Sequence, residues 1–363
     1  MSSRSIAGGF GVGVAVGWNI AALGAVATRL SHAYDVRLAT VGLLVTAQFV
    51  VHLVMQIPGG RMADRFGAQR TALAGLVALA AGNAVSLIAP EIGLAFAGRA
   101  IVGLGTGLAF VAGSDYVRAR GGSPFHQGVY GSASVLAPGI ALAVVPAIGG
   151  FRAPYLTALV VAGLAFVVLA TAPRAARTLR HTGDRIGADL FRDARLYRFG
   201  AIHAMSFGFS VVIGNWVVTL LEHHGQSKST AAAVGSLTLL LGFFGRLAGG
   251  RLMSRGWVAG SLVTGGAAAI ALATPLPLAG DIVATAVLGL AAGIPFARAF
   301  SGAAHARPDA PGAAIGLVNA LAAFVIVVGA PLVGLTFSLP GDGRIGFVAM
   351  GVLAALAALA TPR

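Results

Sequence analysis

The sequence predicts an all-α membrane protein of twelve transmembrane helices, arranged as two pseudo-symmetric six-helix bundles. Three observations carry that expectation: the scarcity of charge, the recurrence of long apolar stretches, and a repeat relating the second half to the first. Of the 363 residues, 57% are hydrophobic and 10% charged, and the mean hydropathy is +0.87. A soluble domain carries about 25% charged residues. A chain this poor in charge cannot coat a water-facing surface, so lipid is its solvent. The 53 glycines fit the same solvent, because membrane helices use Gly where backbones pack closely.

A helix needs about 20 apolar residues to cross a bilayer. Charged or Pro/Gly-rich breaks divide the chain into twelve such stretches. The first six run over 6–29, 38–58, 71–90, 92–114, 125–149 and 153–172. The second six run over 199–221, 229–251, 257–278, 281–301, 312–337 and 344–361. The run from Ile6 to Thr28 is longer than a signal-peptide core and lacks a small-residue cleavage site, so it reads as the first span. The long polar stretch, Pro173 to Arg198, separates an N-terminal six-helix bundle (1–172) from a C-terminal one (199–363). The loop itself (173–198) is expected to carry a short amphipathic surface helix with Leu190, Phe191 and Leu196 toward lipid.

Basic residues set the orientation. With a cytoplasmic N-terminus, the inside loops and tails hold 17 basic residues and the outside loops 5. That bias predicts a multi-pass protein of the cytoplasmic (inner) membrane with both termini in the cytoplasm. The remaining three, Arg99, Arg246 and Arg298, fall inside spans. The net charge of +14 resides in particular loops, which argues for topology and against nucleic-acid binding. The chain has no cysteine, so disulfides and thiol chemistry are excluded. It has no phosphate-cradling Gly-x-x-x-x-Gly-Lys loop, no metal-spaced His cluster and no nucleophile–base pair. Neither an enzyme nor a metal or cofactor carrier is expected.

The halves repeat. Gly131, Pro146 and Gly149 of the fifth span match Gly316, Pro331 and Gly334 of the eleventh at an offset of 185. Gly103, Gly107 and Phe110 of the fourth match Gly289, Gly293 and Phe296 of the tenth at 186. Gly17-Trp18-Asn19 of the first resembles Gly214-Asn215-Trp216 of the seventh. Secondary transporters are built from repeats, with the solute site near mid-membrane between them.

After the second span comes Gly59-Gly60-Arg61-Met62-Ala63-Asp64-Arg65-Phe66-Gly67-Ala68-Gln69-Arg70. Gly60, Asp64, Arg65, Gly67 and Arg70 resemble the signature loop of the major facilitator superfamily, Gly-x-x-x-Asp-Arg-x-Gly-x-x-Arg. The resemblance implies secondary transport of a small-molecule substrate by alternating access, in a lipid-embedded monomer, with protons as a candidate coupling ion. It also implies that this loop locks one end of the two halves together. In that role Asp64 caps a neighbouring helix N-terminus, and Arg65 and Arg70 pair with a carboxylate at the end of the fourth span, for which Asp115 is the candidate. The second-half loop, Gly249-Gly250-Arg251-Leu252-Met253-Ser254-Arg255-Gly256, has Ser254 in place of the Asp. Gating is therefore expected to lean on Asp64.

In the fourth span, Arg99 with Gly103 and Gly105 resembles the family's Arg-x-x-x-Gly-x-Gly pattern, whose Arg is associated with proton transfer. Read from the residues, Arg99 either faces a cavity or binds backbone carbonyls of the first span. Ala137-Pro138-Gly139 of the fifth span resembles the hinge of family exporters. Arg246, four residues before Gly250, resembles the anion-contacting Arg of nitrate/nitrite porters and monocarboxylate carriers. Nitrate porters add an Arg in the second span, where this chain has Gln48 and His52.

Arginine suits a planar or multivalent anion, and no carboxylate lies near the middle of a span. Arginines without carboxylates favour an anionic or neutral polar solute. The other substrate-binding or coupling candidates are Arg298, Asn19, Trp18, Asn215, Trp216, Asn319 and His52, the last read as the titratable residue within a span. Two alternatives remain open: a proton-coupled drug or metabolite exporter, and a transporter-like solute sensor.

Overall fold

The computed structural model describes residues 1–175 and 189–362. Among these, ten helices are long and apolar enough to cross a membrane. They are Ser3–Ala33, Leu38–Phe66, Ala68–Leu87, Ile92–Ala119, Pro124–Ile148, Ala153–Ala170, Ala194–His223, Lys228–Gly249, Leu278–Ala306 and Pro311–Ser338. Arg255–Leu272 and the shorter Arg344–Ala360 fill the ninth and twelfth places. The chain thus has the twelve-helix architecture the sequence predicts.

Local chemistry sets several helix starts. Ser2, Glu91, Asp193, Ser227 and Ser254 each accept a backbone N–H from the first turn of the following helix, the usual service of an N-cap oxygen. Gly67 turns the chain between the second and third spans at φ 97°, a conformation that favours glycine.

Two compact units are present. One holds Met1–Gly122, Ala133–Leu190 and Arg307–Leu317; the other holds Ser123–Ser132, Phe191–Ala306 and Val318–Arg363. The first turns of the fifth and eleventh spans therefore belong to the unit other than the one holding the rest of the span. Backbone proximity explains this assignment. In the first unit Gly60 of the second span lies so close to Gly312 that a Cβ would fall on the Gly312 carbonyl. In the second, a Cβ on Gly250 of the eighth span would meet Phe125, and one on Gly128 would meet the Arg246 carbonyl.

The glycine repeat has a matching structural meaning in each unit. A Cβ on Gly103 would strike backbone of Gln48 in the second span, and one on Gly107 would meet Met55 and His52. The repeat partners Gly289 and Gly293 press the tenth span against Thr238 and Arg246 of the eighth in the same way. Small residues that let helix backbones approach supply packing where lipid gives no hydrophobic drive.

One expectation is corrected. Leu190 and Leu196 are buried and only Phe191 of the three is exposed, because the chain packs these leucines into protein instead of presenting them to lipid. Arg177, Arg180 and Arg185 of this loop lie outside the described residues.

Candidate functional sites

The loop after the second span makes the most definite polar contact. Asp64 is buried, and its Oδ1 and Oδ2 accept the backbone N–H groups of Gly312 and Ala313 at 2.8 and 2.9 Å. These are donors of the first turn of the eleventh span, which have no partners inside their own helix. A carboxylate there also meets the positive end of the helix dipole. Asp115 does not reach Arg65 or Arg70. Arg118, one turn along the same helix, takes it at 2.6 Å, since i,i+3 neighbours meet without loop movement. Arg65 is exposed and lies over the Phe66 ring at 5.3 Å. Arg70 lines a cavity of about 420 Å³ with Gln69 and Arg174. Ser254 accepts the Trp257 N–H of its own helix, and Arg251 stacks over Phe125 at 4.6 Å.

A second polar cluster gathers Arg99, Asn19 and Asn83. Arg99 is 0% exposed. Its Nη2 donates to the Asn19 carbonyl at 2.8 Å, while Nε and Nη1 have no hydrogen-bond partner. Asn83 donates to Asn19 Oδ1 at 3.0 Å. Tyr34 and Tyr155 are bonded to one another at 2.7 Å. Tyr34 lies just beyond the first span. Burial and then Tyr155 push its phenol up, and Arg99 pulls it back. Trp18 donates its indole N–H to Thr157 at 3.0 Å.

Gln48 and His52 are buried on one face of the second span, with Gln56 one turn beyond. His52 Nδ1 pairs with Thr106 at 3.0 Å, and its ring packs near Phe49 and Phe110. His52 Nε2 and Gln48 Oε1 have no hydrogen-bond partner.

The third cluster surrounds Arg246, 2% exposed. Its Nη1 donates to the Gly131 carbonyl at 2.6 Å, and its guanidinium lies over Phe207 and Phe296 at 5.2 and 4.6 Å. The same two rings, with Phe300, pack around His203. His203 bonds Asn319 at 2.9 Å. Sequence reading missed His203, which lies within the seventh span no less than His52 lies within the second. Its signal was available: a histidine inside an apolar run, four residues before Phe207.

The remaining candidates are scattered. Arg298 donates to the Met253 carbonyl and, at 2.8 Å, to that of Pro362. Trp216 donates to the Ala330 carbonyl at 2.8 Å. Asn215 is exposed.

The family and the fold have known relatives. The family model described as Major Facilitator Superfamily matches residues 9–309. No curated protein sequence matches. The fold is similar to the human organic anion transporter MFSD10 (TM-score 0.82, 17% identity, 100% of both chains). It is also similar to the E. coli fucose:proton symporter FucP (N162A; TM-score 0.77, 16% identity, covering 99% of this chain and 97% of that one). The proton:xylose symporter XylE gives a TM-score of 0.77 at 14% identity, covering 98% and 94%.

Proposed function

The chain belongs to the major facilitator superfamily, and from that premise we propose that this secondary transporter moves a small anionic or neutral polar solute by alternating access. One observation carries the solute class. Each sequence half buries a guanidinium that donates to a backbone carbonyl, Arg99 to that of Asn19 and Arg246 to that of Gly131. A buried charge that lacks an anion is costly, and Arg99 leaves two nitrogens without partners. An anion or a sugar hydroxyl satisfies such groups, and a cation cannot.

Asn215 supports a polar route. An exposed amide within a span is unfavourable against lipid and at home beside a water-filled path. The basic loops support cytoplasmic termini, and the sequence repeat supports a divide between 1–172 and 199–363. The contact from Asp64 to Gly312 and Ala313 supports a gate at that end of the molecule. It closes when the carboxylate caps the eleventh span and opens when the cap is released.

The test is ligand-induced thermal stabilisation of the purified chain in detergent. The probes are lactate, nitrate, inorganic phosphate, L-fucose and the cation tetraphenylphosphonium, applied to the parent, Arg99→Ala and Arg246→Ala. A ligand at 100 times its Kd stabilises by about 2.7 kcal/mol. We expect an anion or the sugar to stabilise the parent, and the effect to vanish in one or both variants. Stabilisation by tetraphenylphosphonium alone, equal in all three proteins, refutes the proposed solute class and returns the chain to the exporters.

A further inference from the structure

We propose that His203 is the proton-carrying residue of this transporter, taking up a proton on Nδ1 when an anion sits beside Arg246, so that proton and anion bind together. The inference deepens the anion reading and rests on it.

The geometry fixes which nitrogen is free. His203 Nε2 lies 2.9 Å from Asn319 Oδ1. A carbonyl oxygen only accepts, so Nε2 carries the hydrogen and donates it. In the neutral ring Nδ1 then keeps its lone pair. That nitrogen is buried and has no hydrogen-bond partner, in a residue 0% exposed. A base with its other nitrogen pinned and its lone pair free is arranged to accept a proton.

The surroundings make acceptance conditional. Three rings enclose the imidazole: Phe300 edge-on at 4.7 Å, Phe296 edge-on at 5.6 Å and Phe207 stacked at 5.8 Å. Arg246 lies over two of them, Phe207 at 5.2 Å and Phe296 at 4.6 Å. His203 and Arg246 thus share the Phe207 and Phe296 rings. Tyr130 of the fifth span is the buried titratable neighbour of Gly131, whose carbonyl Arg246 holds. The other basic groups of the tenth span are engaged elsewhere, Arg298 with Met253 and Pro362 and His305 with Ser301. An imidazolium here is therefore a second positive charge facing a guanidinium across an apolar cage, which is costly. An anion that displaces the Gly131 carbonyl from Arg246 removes that cost. Binding of either charge then favours the other, as linkage requires.

The backbone supplies the freedom for such a site. His203 immediately precedes a π-helical turn, Ala204–Gly208. π turns break the regular helical hydrogen-bond register and concentrate at functional sites. This one carries Phe207, the ring shared by His203 and Arg246. His52 also has a ring nitrogen without a hydrogen-bond partner, but its other nitrogen pairs with the Thr106 hydroxyl, which can donate or accept and so does not fix the tautomer.

The experiment measures affinity for lactate and for nitrate, both fully ionised throughout, between about pH 5.5 and 7.5, in the detergent-purified full chain. Calorimetry in two buffers of different ionisation enthalpy counts the protons taken up. For the parent we expect about one proton per anion, and affinity that weakens about tenfold per pH unit on the alkaline side. His203→Gln, whose amide can still donate to Asn319, is expected to bind anion with no proton uptake and a flat pH profile. Anion binding by the parent without proton uptake overturns the proposal and leaves the anion reading standing. Uptake that persists in a folded His203→Gln overturns it as well. The parent measurement decides the matter even if the variant does not fold. Failure of the parent to bind lactate or nitrate at any pH sinks the monoanion reading of Arg246, and this inference with it.

Discussion

Replacing Asp64 by Asn tests the capping contact with the smallest change in shape. The carboxylate accepts two backbone N–H groups, from Gly312 and Ala313. The amide keeps one acceptor and turns an NH₂ toward the second donor. One charge-assisted hydrogen bond is lost, worth about 1.5–3 kcal/mol, and the helix-dipole attraction goes with it. At about 1.4 kcal/mol per factor of ten, the fraction of molecules with this contact open rises about 10- to 100-fold. The chain has no cysteine, so one reporter thiol is unique. Ala310, buried at the start of the eleventh span, is the place for it. We expect maleimide to label Cys-substituted Ala310 at a rate that rises by that factor in Asp64→Asn. A second reporter replacing Ala269, buried in the ninth span, should label no faster, which distinguishes local release from unfolding. Solute flux should fall while the unfolding temperature changes little. Gly60→Ala reaches the same contact by different physics, because its Cβ would fall on the Gly312 carbonyl. It should accelerate the same thiol with the carboxylate intact. An unchanged labelling rate at position 310 in both variants refutes the reasoning.

Two further outcomes follow from packing and charge. Gly289→Ala should destabilise the chain by about 1–3 kcal/mol in a reversible SDS titration, because the new Cβ meets the Leu237 and Thr238 carbonyls. Gly163→Ala, whose Cβ meets nothing within 4 Å, should be neutral or stabilising by up to about 1 kcal/mol; equal effects would contradict the close-packing role. The second outcome concerns pH. His224 lies beyond the seventh span, and burial holds its imidazole below the usual range; nearby Asp281 opposes this, while Arg344 and His223 reinforce it. With a folded value below the unfolded one, the unfolded state binds more protons, so this stability is present at neutral pH and is lost as pH falls below about 6.5. His224→Gln should lose less thermal stability than the parent over that acid range, and parallel curves would discard the assignment.

The twelve spans were legible because each one is a local property. A run of about 20 apolar residues has to cross lipid as a helix whatever its neighbours do. Ends moved where polar residues could be absorbed by length: the second helix runs on to Phe66 and carries the whole Gly60–Arg65 segment of the loop with it. The motif was legible for the same reason, being twelve contiguous residues. Its internal pairing was less so. Asp115 has Arg118 one turn away, a spacing visible in the sequence that outcompetes the distant Arg65 and Arg70.

Contacts over long separations left no such trace. Arg99 and Asn19 both stood out as polar residues in apolar runs, but nothing in either run says that a guanidinium will meet that carbonyl 80 residues away. The Arg246 cluster draws on five separate spans. Its aromatic wall joins Phe207, within a π turn, with Phe296 and Phe300, which lie in a new helical segment that starts at Pro295. Both breaks depart from the regular 3.6-residue period, so a face drawn on an ideal helix places these rings wrongly. Helical periodicity finds residues whose role is to face lipid or a neighbour. It fails where the backbone departs from the helix, and in this chain those departures flank His203 and Arg246, the two groups on which the proton and anion readings depend.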